Sequence, residues 1–162
     1  MSTCFGTLTT RPPVASDDDF LARLYASTRA DLLHLPVPAE VARAIIRHQQ
    51  QLQAIGYAAD FPHAEYLVLE SDGVAVGRAV IDTSASGIRL VDISIAPEAR
   101  RRGYAATVLR ALQERGDGTG IPVTLRVRRD NAGARALYAD LGFVVIAADE
   151  IAEQMCWTPP ER

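Results

Sequence analysis

Residues 91–143 read VDISIAPEARRRGYAATVLRALQERGDGTGIPVTLRVRRDNAGARALYADLGF, and the order of segments within them decides the fold. Leu90–Ile95 is an apolar run that stops ahead of Pro97, as a buried strand does. A basic turn follows, Arg100-Arg101-Arg102-Gly103-Tyr104-Ala105, after which Ala105, Val108, Leu109 and Leu112 recur at helical spacing. The first turn of a helix leaves backbone N–H groups unpartnered at the positive end of the macrodipole, so strand, basic turn and helix start outline an anion site. Gly103 and Ala105 leave room for close approach, and the neighbouring guanidinium groups suit phosphate oxygens. A solvated basic turn needing no ligand accounts for the same composition. Pro122–Val127 reads as a further strand and Asn131–Leu141 as a further helix, capped by Asp130 or Asn131 and closed at Gly142.

Arg100-x-x-Gly103-x-Ala105 resembles the pyrophosphate loop of the GNAT family of N-acetyltransferases, and Asn131-x-x-Ala134-x-x-Leu137-Tyr138-x-x-Leu141-Gly142-Phe143 resembles that family's second conserved block. The match is densest over residues 90–145; the N-terminal half fits the element order without a motif of its own. The resemblance implies an α/β fold of the acyl-CoA N-acyltransferase kind, a mixed central sheet of about seven strands with helices on both faces. Its central parallel strands, here Leu90–Ile95 and Pro122–Val127, would splay apart and free backbone groups for a ligand. Acetyl-CoA is the implied co-substrate, with no metal. Backbone of Ile93, Ser94 and Ile95 would grip its pantetheine arm. Arg100, Arg101, Arg102, Gly103, Tyr104, Ala105 and Ala106 would form the pyrophosphate loop, and Asn131 and Tyr138 would touch the same cofactor. As a helix cap, Asn131 has an equal structural use.

The implied reaction is direct transfer of an acetyl group to a primary amine, of a small molecule or of a peptide or protein, in a ternary complex. The sequence holds no nucleophile elbow and no Cys/His pair placed for a covalent intermediate. Tyr138 is the candidate general acid, since a phenol of pKa about 10 can protonate a departing thiolate; packing in the stripe Ala134, Leu137, Tyr138 and Leu141 is its structural alternative. Asp92, alternating with apolar residues, is the candidate base, or else a solvent-side residue of a half-exposed strand. Some members of the family carry a glutamate in the following strand, where this chain reads Leu125-Arg126-Val127-Arg128; Asp60 and Glu65 are fallbacks. A catalytically weak acyl-CoA sensor or partner-binding module is the alternative function.

Composition bounds these readings. With 162 residues, 48% hydrophobic and 23% charged, the chain suits one domain over residues 1–162. A formal charge of −3 makes the arginine turn a local feature and disfavours bulk nucleic-acid binding. Arg126, Arg128, Arg129 and Arg135 fit the outward side of a strand surface and its surroundings. The acidic balance suits an amine acceptor. Cys4 and Cys156 form no C-x-x-C pair, which argues for a reducing compartment, and His34, His48 and His63 lack ligand spacing. Residues 1–13 show no basic region leading into an apolar one, and no apolar run approaches a membrane span, so a cytoplasmic protein is expected, its oligomeric state left open with a homodimer among the options.

Elsewhere Phe5–Arg11 reads as the first strand. Ser16 is placed to cap a helix with Asp17, Asp18 and Asp19 in its first turn and Phe20, Leu21, Leu24, Tyr25 and Thr28 on one stripe. A second helix is expected from Pro38 to Ala54, burying Val41, Ile45, His48, Leu52 and Ile55 and making His48 a core or boundary residue. The loops 32–37 and 56–63 are expected to wall the acceptor site, by analogy with the family. Tyr66–Glu70 and Val74–Ile81 form a hairpin across Asp72-Gly73, Gly116–Gly120 stops a helix, and Phe143–Ala147 and Ile151–Trp157 close the fold.

Overall fold

In the computed structural model, which describes residues 3–162, the chain runs β1 (Thr3–Phe5), β2 (Leu8–Arg11), α1 (Asp18–Ser27), α2 (Ala30–Leu33), α3 (Ala39–Asp60), β3 (Glu65–Ser71), β4 (Val74–Ser84), β5 (Gly87–Ile95), α4 (Tyr104–Thr119), β6 (Val123–Arg128), α5 (Ala132–Asp140), β7 (Val144–Ala148) and β8 (Ala152–Trp157). Among the described residues one sheet contains all the strands, in the order β1-β2-β3-β4-β5-β6-β8-β7, and only β5 and β6 pair in parallel. The sheet has eight strands rather than the expected seven or so because Phe5–Arg11 is not continuous. Gly6, at φ +57, turns the chain so that Phe5 pairs with Leu8 and both side chains are buried.

Helices cover both faces, as expected. Ile88 and Leu90 of β5 share a face with Val123 and Leu125 of β6, and all four belong to one core with Val108, Leu109 and Leu112 of α4. On the opposite face Arg78 of β4 donates to Gln53 Oε1 of α3 at 3.0 Å. Among the described residues no helix is long and apolar enough to cross a membrane.

The helices correct the sequence reading in three places. Ser16 is not a cap: it lies within a 3₁₀ turn, Ala15–Asp17. Asp17 takes the cap position of α1 with helical dihedrals, and its carboxylate accepts two hydrogen bonds from Arg11, at 2.7 and 2.8 Å, and one from Val14 N–H at 2.8 Å. Arg11, and then the Val14 N–H, push the Asp17 carboxyl down to about 2. The glycine-rich segment is helical through Thr119, and α4 stops only at Gly120. α3 runs to Asp60, absorbing much of the loop expected at 56–63.

α3 also turns a different face inward. Ala42 and Ile46 are buried, whereas Val41, Leu52 and Ile55 are 44%, 47% and 66% exposed and His48 is exposed. Gln53 lies two turns beyond Ile46 on the inward face, where it meets Arg78. α3 packs against α1 and α2 and meets the sheet through this polar contact, and the longer apolar stripe is left outside.

Gly77 of β4 pairs with Ile95, and a Cβ at Gly77 would collide with the Ser94 carbonyl oxygen and approach Ile95 within 3.0 Å. Gly77→Ala is therefore expected to lower stability by about 1–3 kcal/mol, read as a drop in the denaturant midpoint at unchanged m-value.

Candidate functional site

β5 and β6 pair through Ile88·Val123, Arg89·Thr124 and Leu90·Leu125 and then separate. Beyond that point each strand follows its outer neighbour: Asp92–Ile95 stays paired with β4, and Arg126–Arg128 with β8. Val80 pairs with Asp92 and Ile81 with Leu90, which leaves Val91 as a bulge residue where the strands part. A cavity of about 360 Å3 opens in the gap, lined by Leu90, Val91, Asp92, Ile93 and Ser94 on one side and by Leu125, Arg126, Val127 and Arg128 on the other. Backbone along this seam has lost its ladder partner and is open to a ligand.

The Tyr138 ring is 8% exposed and lies 6.2 Å from that of Phe143, centroid to centroid. It packs in the core, as the stripe reading expects, and it also lines the cavity. Burial, and then the charge of Asp92, push its phenol up to about 12. Asn131 caps α5, its Oδ1 accepting from Ala134 N–H at 3.2 Å, and it also lines the cavity, two turns from Tyr138.

Asp92 lines the cavity too, but it is not a free solvent-side carboxylate. Its Oδ2 accepts from Arg78 Nη2 at 2.5 Å, and the same nitrogen donates to Gln53. Sequence reasoning missed Arg78, Gln53 and Tyr57. A usable signal was present: Arg78 and Asp92 are opposite charges flanked by apolar residues in consecutive strands, and antiparallel neighbours that bury opposite charges pair them. Burial, and then Asp92, push the Tyr57 phenol up to about 12 as well.

The fallback carboxylates Asp60 and Glu65 are exposed and do not line the cavity. Loops 32–37 and 56–63 do not line it either. That wall comes from Leu21, Leu24 and Tyr25 of α1, from Thr28 and Arg29 after it, and from Gln53. The helices lie against the gap, so side chains on their inner faces reach it where the loops do not. Arg126, at the strand position discussed above, lines the cavity and pairs with Asp149 at 3.1 Å.

The basic loop lies beyond the C-terminal end of β5. Arg100 Nε donates to the Ile95 carbonyl at 3.1 Å, fastening loop to strand. Arg101 and Gly103 have φ of +64 and +78, left-handed backbone of the kind from which anion-binding concavities are built. Arg101, Arg102 and Gly103 are exposed, and a Cβ built at Gly103 meets nothing within 4 Å. Gly103 precedes the first turn of α4, whose N–H groups have no intrahelical acceptor. Tyr104 donates to Ser71 Oγ at 3.1 Å and Ala106 is buried, so these two side chains anchor the helix; Ala105 is half-buried. The open ground, the left-handed backbone and the cationic side chains fit a phosphate-bearing ligand.

Comparison with protein families matches residues 30–143 to the acetyltransferase (GNAT) family. Comparison with curated protein sequences returns no match. Among solved structures, the PaiA N-acetyltransferase of Thermoplasma acidophilum in complex with coenzyme A superposes with a TM-score of 0.67 at 18% identity, over 94% of this chain and 99% of that one. The ribosomal-protein-S18-alanine N-acetyltransferase of Escherichia coli gives 0.65 at 18% identity, over 96% of each chain. The acetyl transferase of Salmonella typhimurium that modifies the N-terminal serine of ribosomal protein L7/L12 gives 0.66 at 15% identity, over 99% and 100%. At these identities the likeness to solved structures is one of fold.

Proposed function

The chain belongs to the acetyltransferase (GNAT) family, and from that premise we propose that it transfers an acetyl group from acetyl-CoA directly to a primary amine, both substrates being held at once in one domain. The observation that carries this reading is the unpaired seam beyond Leu90·Leu125, with Tyr138 and Asp92 facing it and the Gly103 helix start beyond its end.

When bound, acetyl-CoA supplies the acetyl group as a thioester. Arg101, Arg102 and the first-turn N–H groups of α4 hold the diphosphate, and Arg100 keeps the loop against Ile95. Backbone of Ile93, Ser94 and Ile95 takes the amides of the pantetheine arm, and an N–H of this segment polarises the thioester carbonyl. Asn131 serves its helix cap and lends its remaining amide to the same ligand. Asp92 receives a proton from the incoming ammonium, directly or through one water, using the oxygen that Arg78 leaves free. The free amine attacks the thioester carbon, and as the C–S bond breaks Tyr138 gives its proton to the departing sulfur and regains one from the nitrogen, which sheds its second proton in becoming the amide. Its raised pKa keeps it protonated, and therefore able to donate, throughout the neutral and mildly alkaline range.

A second reading, a module that binds acetyl-CoA without turning it over, is favoured by one observation: Arg78 engages the only carboxylate among the described residues that lines the cavity. Coenzyme A release measured across a panel of amines separates the two readings, since a binding module saturates with acetyl-CoA and yields no release above background.

Tyr138→Phe is expected to cut kcat roughly 10- to 1000-fold, with acetyl-CoA affinity by calorimetry little changed; unchanged kcat removes Tyr138 from its role. In the parent enzyme the alkaline loss due to this phenol belongs near pH 12 rather than near the ordinary value of about 10. Asp92→Asn is expected to lower kcat/KM roughly 10- to 100-fold near neutrality, and the deficit should shrink as pH rises and the free amine accumulates. A deficit independent of pH would assign Asp92 a structural role.

A further inference from the structure

The cavity wall carries four arginines against one carboxylate: Arg29, Arg78, Arg126 and Arg128 against Asp92. Asp92 is taken by Arg78, so the other three determine the charge that an acceptor meets. Their partners, Asp31, Asp149 and Asp130, do not line the cavity, and their side chains are 64%, 58% and 69% exposed. Ion pairs in water are weak and exchange partners readily.

Arg29 and Arg128 belong to opposite walls, the end of α1 and the end of β6, yet they sense one another. Arg128 is held above its usual range by Asp130 first, with Asp31 adding and Arg29 opposing. Both residues line the one cavity. The buried Nε atoms of Arg78, on the cavity wall, and of Arg89, outside it, have no hydrogen-bond partner among the described residues. Arg89 is pushed below its usual range by burial and then by Arg126. The unsatisfied donor of Arg78 and the cations gathered on the wall give the pocket a positive balance despite the chain's net charge of −3.

We infer that the acceptor is an amine that also carries a carboxylate, its nitrogen directed to Asp92 and Tyr138 and its carboxylate held by Arg126, Arg128 and Arg29. A purely cationic amine would meet like charge from both β6 and the end of α1, whereas a carboxylate replaces the exposed partners of these arginines with one held in the cavity. The inference rests on the acetyl-transfer reading and narrows it. It also reverses the expectation that the acidic composition selects the acceptor, because the charge that matters is local.

The test is steady-state kinetics of the full chain with saturating acetyl-CoA, using acceptors that differ only as carboxylate and carboxamide. Free amino acids and their amides form one arm, short acidic peptides and their Asn/Gln counterparts a second, and spermidine a third. After correction for the fraction of free amine, the carboxylate member of a pair is expected to have at least about a 10-fold higher kcat/KM; the arm with the larger ratio identifies the source of the carboxylate. In the doubly substituted protein, Arg126→Ala with Arg128→Ala, the ratio should collapse toward one through KM, with acetyl-CoA affinity by calorimetry verifying the fold. Equal rates within each pair, a ratio that survives the substitutions, or best turnover with spermidine would overturn the inference and leave acetyl transfer standing. No release of coenzyme A with any amine would overturn both.

Discussion

Parallel pairing between β5 and β6 lasts for three residue pairs and then yields to the outer neighbours of each strand. β6 is bonded along its whole length to β8, and β5 resumes its pairing with β4 after the extra residue at Val91. A bulge bends and twists the strand that carries it, so two strands anchored to different partners diverge from that point. The hydrogen-bonding capacity released along the seam must be met by solvent or by a ligand. Beneath the opening, Leu90, Leu125, Val127, Tyr138 and Phe143 belong to one packed core, which lets the sheet carry an unpaired stretch at its centre.

The same gap joins parts of the chain that are far apart in sequence. Arg78 connects Gln53 of α3 to Asp92 of β5, so a helix from the first half of the chain fixes a carboxylate on the central strand. Tyr57 and Tyr138, from helices on either side of that strand in the sequence, both feel the Asp92 charge and are both protonated well beyond neutrality. The basic turn before Gly103 and the arginine-rich wall of the cavity are separate positive regions. The first lies beyond the end of β5, the second along its seam with β6. Such a division lets two anionic groups be held apart, since neither region has to share its cations with the other.

Much of this was legible in the chain itself. The strand before Pro97, the helix opened by Gly103, the Asn131 cap and the Tyr138 stripe are all local signals: they depend on backbone dihedrals, capping groups and helical spacing, which adjacent residues determine. The family resemblance added the parting of the two central strands, and the pairing pattern displays it in full.

Tertiary structure decided what neighbouring residues could not. The inner face of α3 follows Ala42, Ile46 and Gln53 instead of its longer apolar stripe, because α3 packs against α1 and α2 and meets the sheet through Arg78, surfaces that its own spacing does not encode. Asp17 became an ion-pair partner of Arg11 for a similar reason, since the guanidinium that holds it belongs to a strand. The walls of the site came from inner helix faces rather than from loops 32–37 and 56–63. Composition reported a mildly acidic protein, while the fold gathered Arg29, Arg78, Arg126 and Arg128 around a single carboxylate. Local order in a polypeptide is set over a few residues, whereas the field inside a cleft is a sum over whatever the topology brings there, and only the folded chain performs that sum.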